Sequence, residues 1–177
     1  MALSTVVTTL IILVVSVLLA GVVAYYAINV TSTRVQEESL QLSSQHIWVN
    51  NAGEVQGAIM ITNTGGRDVV ISKIAVRGQG SAWADVFYLM AAKTDAGLTT
   101  DLSHLPTANL TDAGVVSGFA ASLAGTTGNL VLPSGSTIVI YIDSPDSVTI
   151  NDIGLTVGFT VFTSQAMYYK ETNVNAA

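Results

Sequence analysis

The stretch Leu10–Ile28, LIILVVSVLLAGVVAYYAI, decides how the rest of the chain is read. It is nearly continuous apolar sequence, interrupted only by Ser16 and Gly21, and no charged residue occurs before Arg34. A charge-free run of this length forms a helix that avoids water, because it matches a bilayer core of ~30 Å. Upstream, Ser4 and Thr8, and Thr5 and Thr9, are each four residues apart and share a helical face. Hydroxyls so placed can turn back onto their own backbone carbonyls and are tolerated in hydrocarbon. Ser16, Ala20 and Ala24 recur every four residues with Gly21 beside them. That is a small-xxx-small ridge, which lets helix backbones approach closely where dispersion drives association. A plain lipid anchor with incidental small residues is the competing reading. Tyr25 and Tyr26 stand where an aromatic belt would lie.

The segment is not an ordinary secretory signal. Nothing basic precedes it, and it exceeds the apolar core of about 7–15 residues that such signals carry. It is expected to belong to the working protein, either made in this form or left after removal of a basic leader before Met1. Downstream, residues 29–45 hold no Gly or Pro, and Arg34 can pair with Glu37 or Glu38 at helical spacing. The helix is therefore expected to run on to Gln45. From residue 3 to 45 it would be about 63 Å long, more than a bilayer needs.

From His46 the period changes to that of strands. The expected strands are His46–Asn50, Val55–Thr62, Asp68–Arg77, Val86–Met90, Thr137–Asp143, Gly154–Thr163 and Ala166–Val174. Val70, Ser72, Ile74 and Val76 alternate with Val69, Ile71, Lys73, Ala75 and Arg77, and the charges fall on one face. Turn chemistry separates the strands at Asn51-Ala52-Gly53, Asn63-Thr64-Gly65-Gly66, Pro133-Ser134-Gly135 and Ser144-Pro145-Asp146. The expected fold is α+β: an N-terminal hydrophobic helix over 1–45, then one antiparallel Ig-like β-sandwich over 46–177. Residues 91–128, rich in Ala, Gly, Thr and Ser, interrupt the pattern and are read as a polar surface excursion. A helical turn is possible at Asp101–Pro106.

Composition removes several functions. The chain has 177 residues, a net charge of −6 and only six Lys and Arg. Nucleic acid and anionic lipid both need a basic surface, which is missing. With no cysteine there are no disulfides, thiolate metal sites or thiol nucleophiles. His46 and His104 lack metal-ligand spacing and read as surface or packing residues. Asp143, Asp146 and Asp152 could chelate calcium, but their spacing fits no calcium loop, and solvated turn acids are the simpler reading. No nucleophile or phosphate-loop motif occurs, so no enzyme activity, catalytic residue, metal or cofactor is expected. Two sequons, Asn29-Val30-Thr31 and Asn109-Leu110-Thr111, make Asn109 and Asn29 candidate N-glycosylation sites.

The combination resembles the mature form of archaeal type IV pilins and archaellins. The resemblance is carried by Leu3–Val7 through Tyr25–Asn29, by the phrase Ile59–Ile71, and by the turn Leu132-Pro133-Ser134-Gly135-Ser136. Thr5 stands where bacterial pilins usually carry Glu, if Met1 is the first mature residue, and this favours the archaeal branch. The resemblance implies a subunit stored in the membrane and extracted by an assembly ATPase and a membrane platform protein. It also implies an extracellular helical filament of identical subunits, packed through Ser16, Ala20, Gly21 and Ala24 and serving surface adhesion. A head-to-tail interface of this kind stays open and makes a filament. An archaellin of a swimming filament, and a monomeric membrane-anchored binding domain, are the alternatives.

Overall fold

A computed structural model of the chain describes residues 2–35, 37–91, 101–106, 110 and 123–177. The chain divides into two compact units, 1–37 and 38–177. The first is one α-helix, α1, Ala2–Val35. Its 34 residues span about 51 Å at 1.5 Å each.

The helix does not reach Gln45, because the backbone just after residue 37 is committed elsewhere. The Ser39 carbonyl accepts the Thr64 and Gly65 amides at 2.9 and 3.1 Å. Glu38 accepts the Thr163 hydroxyl at 2.5 Å, and its carbonyl accepts the Tyr168 hydroxyl at 3.3 Å. Glu38 thus serves the second unit. Leu40–Val49 is the first strand, β1, six residues longer at its start than the sequence suggested.

The second unit is a mostly antiparallel β-sheet domain, so the chain is α+β. After β1 come β2 (Val55–Asn63), β3 (Val69–Val76), β4 (Gln79–Gly80), β5 (Val86–Ala91), β6 (Ala124–Gly125), β7 (Leu130–Leu132), β8 (Thr137–Asp143), β9 (Thr156–Thr163) and β10 (Met167–Ala176). They are paired in the order β4-β3-β9-β10-β1-β2-β8-β5-β6, with β7 also on β3. One pair breaks the antiparallel expectation: β1 and β10 are parallel, Ile47 opposite Val174 and Val49 opposite Ala176. Both ends of the order are strands of two residues, which leave little edge for another chain to extend.

Two apolar layers hold the sheet. The inner one joins its halves: Ile47 and Val49, Ile59 and Ile61, and Ile138, Ile140 and Ile142 share a core with Ile71, Ile74, Val76, Leu132, Val157, Phe159 and Val161. The outer one lies on the other face of β1, β2, β5 and β8. There Trp48, Met60, Leu89, Val139 and Tyr141 meet Leu102, Leu105, Leu110 and Leu123. β8 is therefore covered on both faces, which explains why TIVIYID reads as an unbroken apolar run.

The described part of 91–128 is thus a cover for the sheet and not a surface excursion. Nor does 101–106 form a helical turn. The Gln56 side chain donates to the Leu105 carbonyl and accepts the Leu105 amide, both at 2.8 Å. The Tyr141 hydroxyl donates to the Ser103 carbonyl at 2.9 Å. Groups that would close a turn are bonded to the sheet instead.

Candidate assembly surface

α1 is built from residues that solve their own polar problem. Thr8 donates to the Ser4 carbonyl (2.8 Å), Thr9 to Val6 (2.9 Å), Ser16 to Ile12 (2.7 Å), Thr31 to Ala27 (2.8 Å) and Ser32 to Ile28 (2.6 Å). A hydroxyl bonded within its own helix does not need water, so these residues can sit in an apolar medium without an orphaned donor. The expectation for Thr8 on Ser4 holds, and the same device recurs along the helix. Tyr25 and Tyr26 meet edge to face at 6.3 Å.

The stretch Leu3–Ser32 is long and apolar enough to cross a membrane, with mean hydropathy 2.9. The large apolar side chains from Leu3 to Val30 are exposed by 46% (Val14) to 83% (Leu3). An uninterrupted surface of this kind marks an interaction site and not a face meant for water. On it Ser16, Ala20 and Ala24 lie at four-residue spacing, and the Ser16 hydroxyl is turned down onto its own backbone. A Cβ placed on Gly21 would meet nothing within 4 Å. Among the described residues, no packing calls for a glycine there.

The two sequons differ in what can be said of them. Asn29 lies within α1 and its amide donates to the Tyr25 carbonyl at 3.1 Å, while the Thr31 hydroxyl of the same sequon is bonded to Ala27. Asn109 lies outside the described residues.

Several of the described carboxylates are spent on local structure. Asp152 is drawn into a turn: its carboxylate accepts the Thr149 amide (2.8 Å) and hydroxyl (3.0 Å) and pairs with Arg77 (2.8 Å). These partners, the Thr149 amide first and then Arg77, hold its pKa below the usual carboxylate range. Asp143 is raised instead, mainly by burial, with Asp85 and Glu54 adding like charge. Asp143 and Asp146 line one shallow cleft, and the Asp152 carboxylate is spent on Thr149 and Arg77. Among the described residues no group of three or more His, Asp and Glu could hold a metal ion.

What sequence reading missed is that both histidines pack on one indole, that of Trp48. His46 stacks on Trp48, with ring centres 5.1 Å apart and planes at 17°, and His104 approaches the same indole edge-on at 6.0 Å. His46 Nε2 is 2.8 Å from Asp101 Oδ1. The histidines stand 58 positions apart in the chain, and the docking of 101–106 brings both to the same ring. No local spacing could have shown it.

No family model matches this chain, and no curated protein matches it. Among solved structures, an apo PmoF2 PCuAC domain is 11% identical, covers 80% of this chain and 95% of its own, and aligns with a TM-score of 0.44. A family 123 glycoside hydrolase from Clostridium perfringens is 9% identical over 79% of this chain, with a TM-score of 0.34. A β-glucosidase from Listeria innocua is 12% identical over 80%, at 0.27. The aligned part is 27% of the hydrolase and 16% of the glucosidase. Likeness at this level assigns neither an activity nor a ligand.

Proposed function

We propose that this chain is the structural subunit of an extracellular archaeal type IV pilus, polymerising through α1 and serving surface adhesion. One observation carries the reading: α1 presents an apolar surface, free of charge from Leu3 to Ser32, with its hydroxyls satisfied inside the helix. Such a helix is stable in lipid and equally stable among copies of itself. Transfer from one to the other keeps its apolar surface out of water throughout. The ridge Ser16-Ala20-Ala24, with Gly21, supports the second environment, since close helix approach is what small residues permit.

In this reading the membrane stores the subunit, an assembly ATPase and a platform protein extract it, and the β-domains coat a core of bundled helices. The head is an Ig-like β-sandwich, a reading supported by the shared inner core between the β1-β2-β8 and β3-β9 halves of the sheet.

The test is electron microscopy of material sheared from cells and purified with this protein. Filaments with helical symmetry are expected. A protein that stays monomeric in mild detergent, with no filaments containing it at the surface, overturns the proposal in favour of a membrane-anchored binding domain. A deletion strain that loses swimming would move the assignment to an archaellin.

A further inference from the structure

The first strand after α1 and the strand β10 run side by side in the same direction. Each is ten residues long, and Ile47, Trp48 and Val49 lie opposite Val174, Asn175 and Ala176. Parallel neighbours enter at one end of a sheet and leave at the other. Residues 38 and 177 therefore mark opposite ends of one strand pair.

The pair is cross-linked from end to end. At the entry end Thr163, in the β9–β10 hairpin, donates to the Glu38 carboxylate, and the Tyr168 hydroxyl donates to the Glu38 carbonyl at 3.3 Å. At the exit end the Ala177 amide donates to the Val49 carbonyl at 2.9 Å. Between them lies the β1 bulge, where Ser44 has φ 47° and the register against β2 slips. Two side chains bond across to β10 at that point. Gln45 donates to the Glu171 carbonyl at 3.1 Å, and the Thr172 hydroxyl donates to the Gln45 carbonyl at 2.9 Å.

From these contacts we infer that β1 and β10 form a tension clamp: a pull between the α1 end of β1 and the far end of β10 loads their cross-links in shear. What matters is how many bonds share the load. Pulled at 38 and 177, the strands must slide along one another, and the bonds from Glu38 to Ala177 must give together. β2 holds β1 from Leu40 to Val49, and β9 holds β10 from Met167 to Asn173, so neither strand is free to turn and peel. Leu40, Ile47, Val49 and Val174 are buried in the inner core and have to slip past their neighbours in the same step. Pulled at 38 and 165, both at the entry end, the same bonds open in turn, Glu38 first and Val49 last. Thermal stability is one number for both directions, but resistance to force follows the barrier along the pull. The clamp belongs to the head alone. In a filament it would carry load from the far end of the head to α1, and it does not depend on polymerisation.

The chain has no cysteine, so introduced thiols define the points of pull. Glu37→Cys, Gln165→Cys and Ala177→Cys all fall at exposed positions. The full chain, in non-ionic micelles, is tethered between DNA handles through the 37/177 pair or the 37/165 pair and stretched at one rate. The length of chain released at rupture identifies the molecules whose head was folded. The 37/177 pair is expected to rupture at a force at least about twofold higher than the 37/165 pair. Equal forces, or a weaker 37/177 pair, would overturn the inference.

Discussion

Gly57 is a residue where a single methyl group would be felt inside the core. It lies in β2, opposite Ile47 on one side and Ile142 on the other. A Cβ there would stand 3.1 Å from one ring carbon of Phe159 and 3.4 Å from a second, and Phe159 is fully buried in the inner core. The ring must give by a few tenths of an ångström inside a packed core, so Gly57→Ala is expected to destabilise the domain by about 1–3 kcal/mol through overpacking. A denaturant titration with unchanged slope and a lowered midpoint is the expected result. Asp152 makes a different argument at the same scale. The fold favours its charged form, through the Thr149 amide first and Arg77 next. Its stabilisation is present above the usual carboxylate range and is lost as pH falls through the lowered folded value. Asp152→Asn should therefore lower the melting temperature at pH 7, and the gap to the parent should close as pH approaches 3. An equal gap at both pH values would show that the hydrogen-bond geometry, not the charge, matters there.

At the scale of elements, α1 carries the sharpest expectation. If helices pack on the Ser16-Ala20-Ala24 ridge, the added volume of Ala20→Leu or Ala24→Leu overfills the contact and should reduce filament yield several-fold, with the head domain's melting unchanged. Normal filaments from both variants would make the ridge incidental. The strands show what a sequence pattern can and cannot carry. Thr137–Asp143 was legible to the residue, because β8 is straight and covered on both faces. β1 was half-missed because of a bulge. Leu40 and Leu42 face the inner core, and so do Ile47 and Val49, which is a change of parity that the register shift between Ser43 and His46 absorbs, with Ser44 at φ 47°. Read as a strict period of two, the segment contradicts itself, and a helix looked simpler. β3 hides the same device. Val69 and Ile71 are buried, the register slips before Lys73, and then Ile74 and Val76 are buried. The alternation read across Val69–Arg77 therefore changes face midway. Leu102 and Leu105 were illegible for another reason: their burial depends on an outer sheet face that their own segment does not encode. The helix ridge and the charge-free run were readable because they are local and periodic, while the Trp48 cluster depends on contacts between β1 and residues 101–106.

At the scale of the molecule, the two units place opposite demands on solvent. Both apolar clusters of the head are built from Leu40 onward, and its first clips are the Glu38 and Ser39 contacts. β10, at the far end of the chain, bridges β9 to β1, so the sheet is complete only when the last residues are in place. Residues 38–177 thus hold every described strand and both cores. α1, by contrast, exposes side chains whose burial is worth about 1.5–3 kcal/mol each, a total on the order of tens of kcal/mol over the helix. Water is untenable for that surface, and lipid, detergent or other copies of α1 must cover it. Deleting residues 1–37 should accordingly give a soluble monomer with the parent's near-ultraviolet dichroism and one cooperative melt. The full chain should remain in solution only with detergent or as filaments. A deletion variant that is soluble but lacks fixed aromatic signals would mean that α1 stabilises the head, and the helix would then have a second role beside assembly. A full chain that stays monodisperse in plain buffer would mean that its apolar face is already covered. The small residues at 16, 20, 21 and 24 would then have to be explained by packing within one subunit.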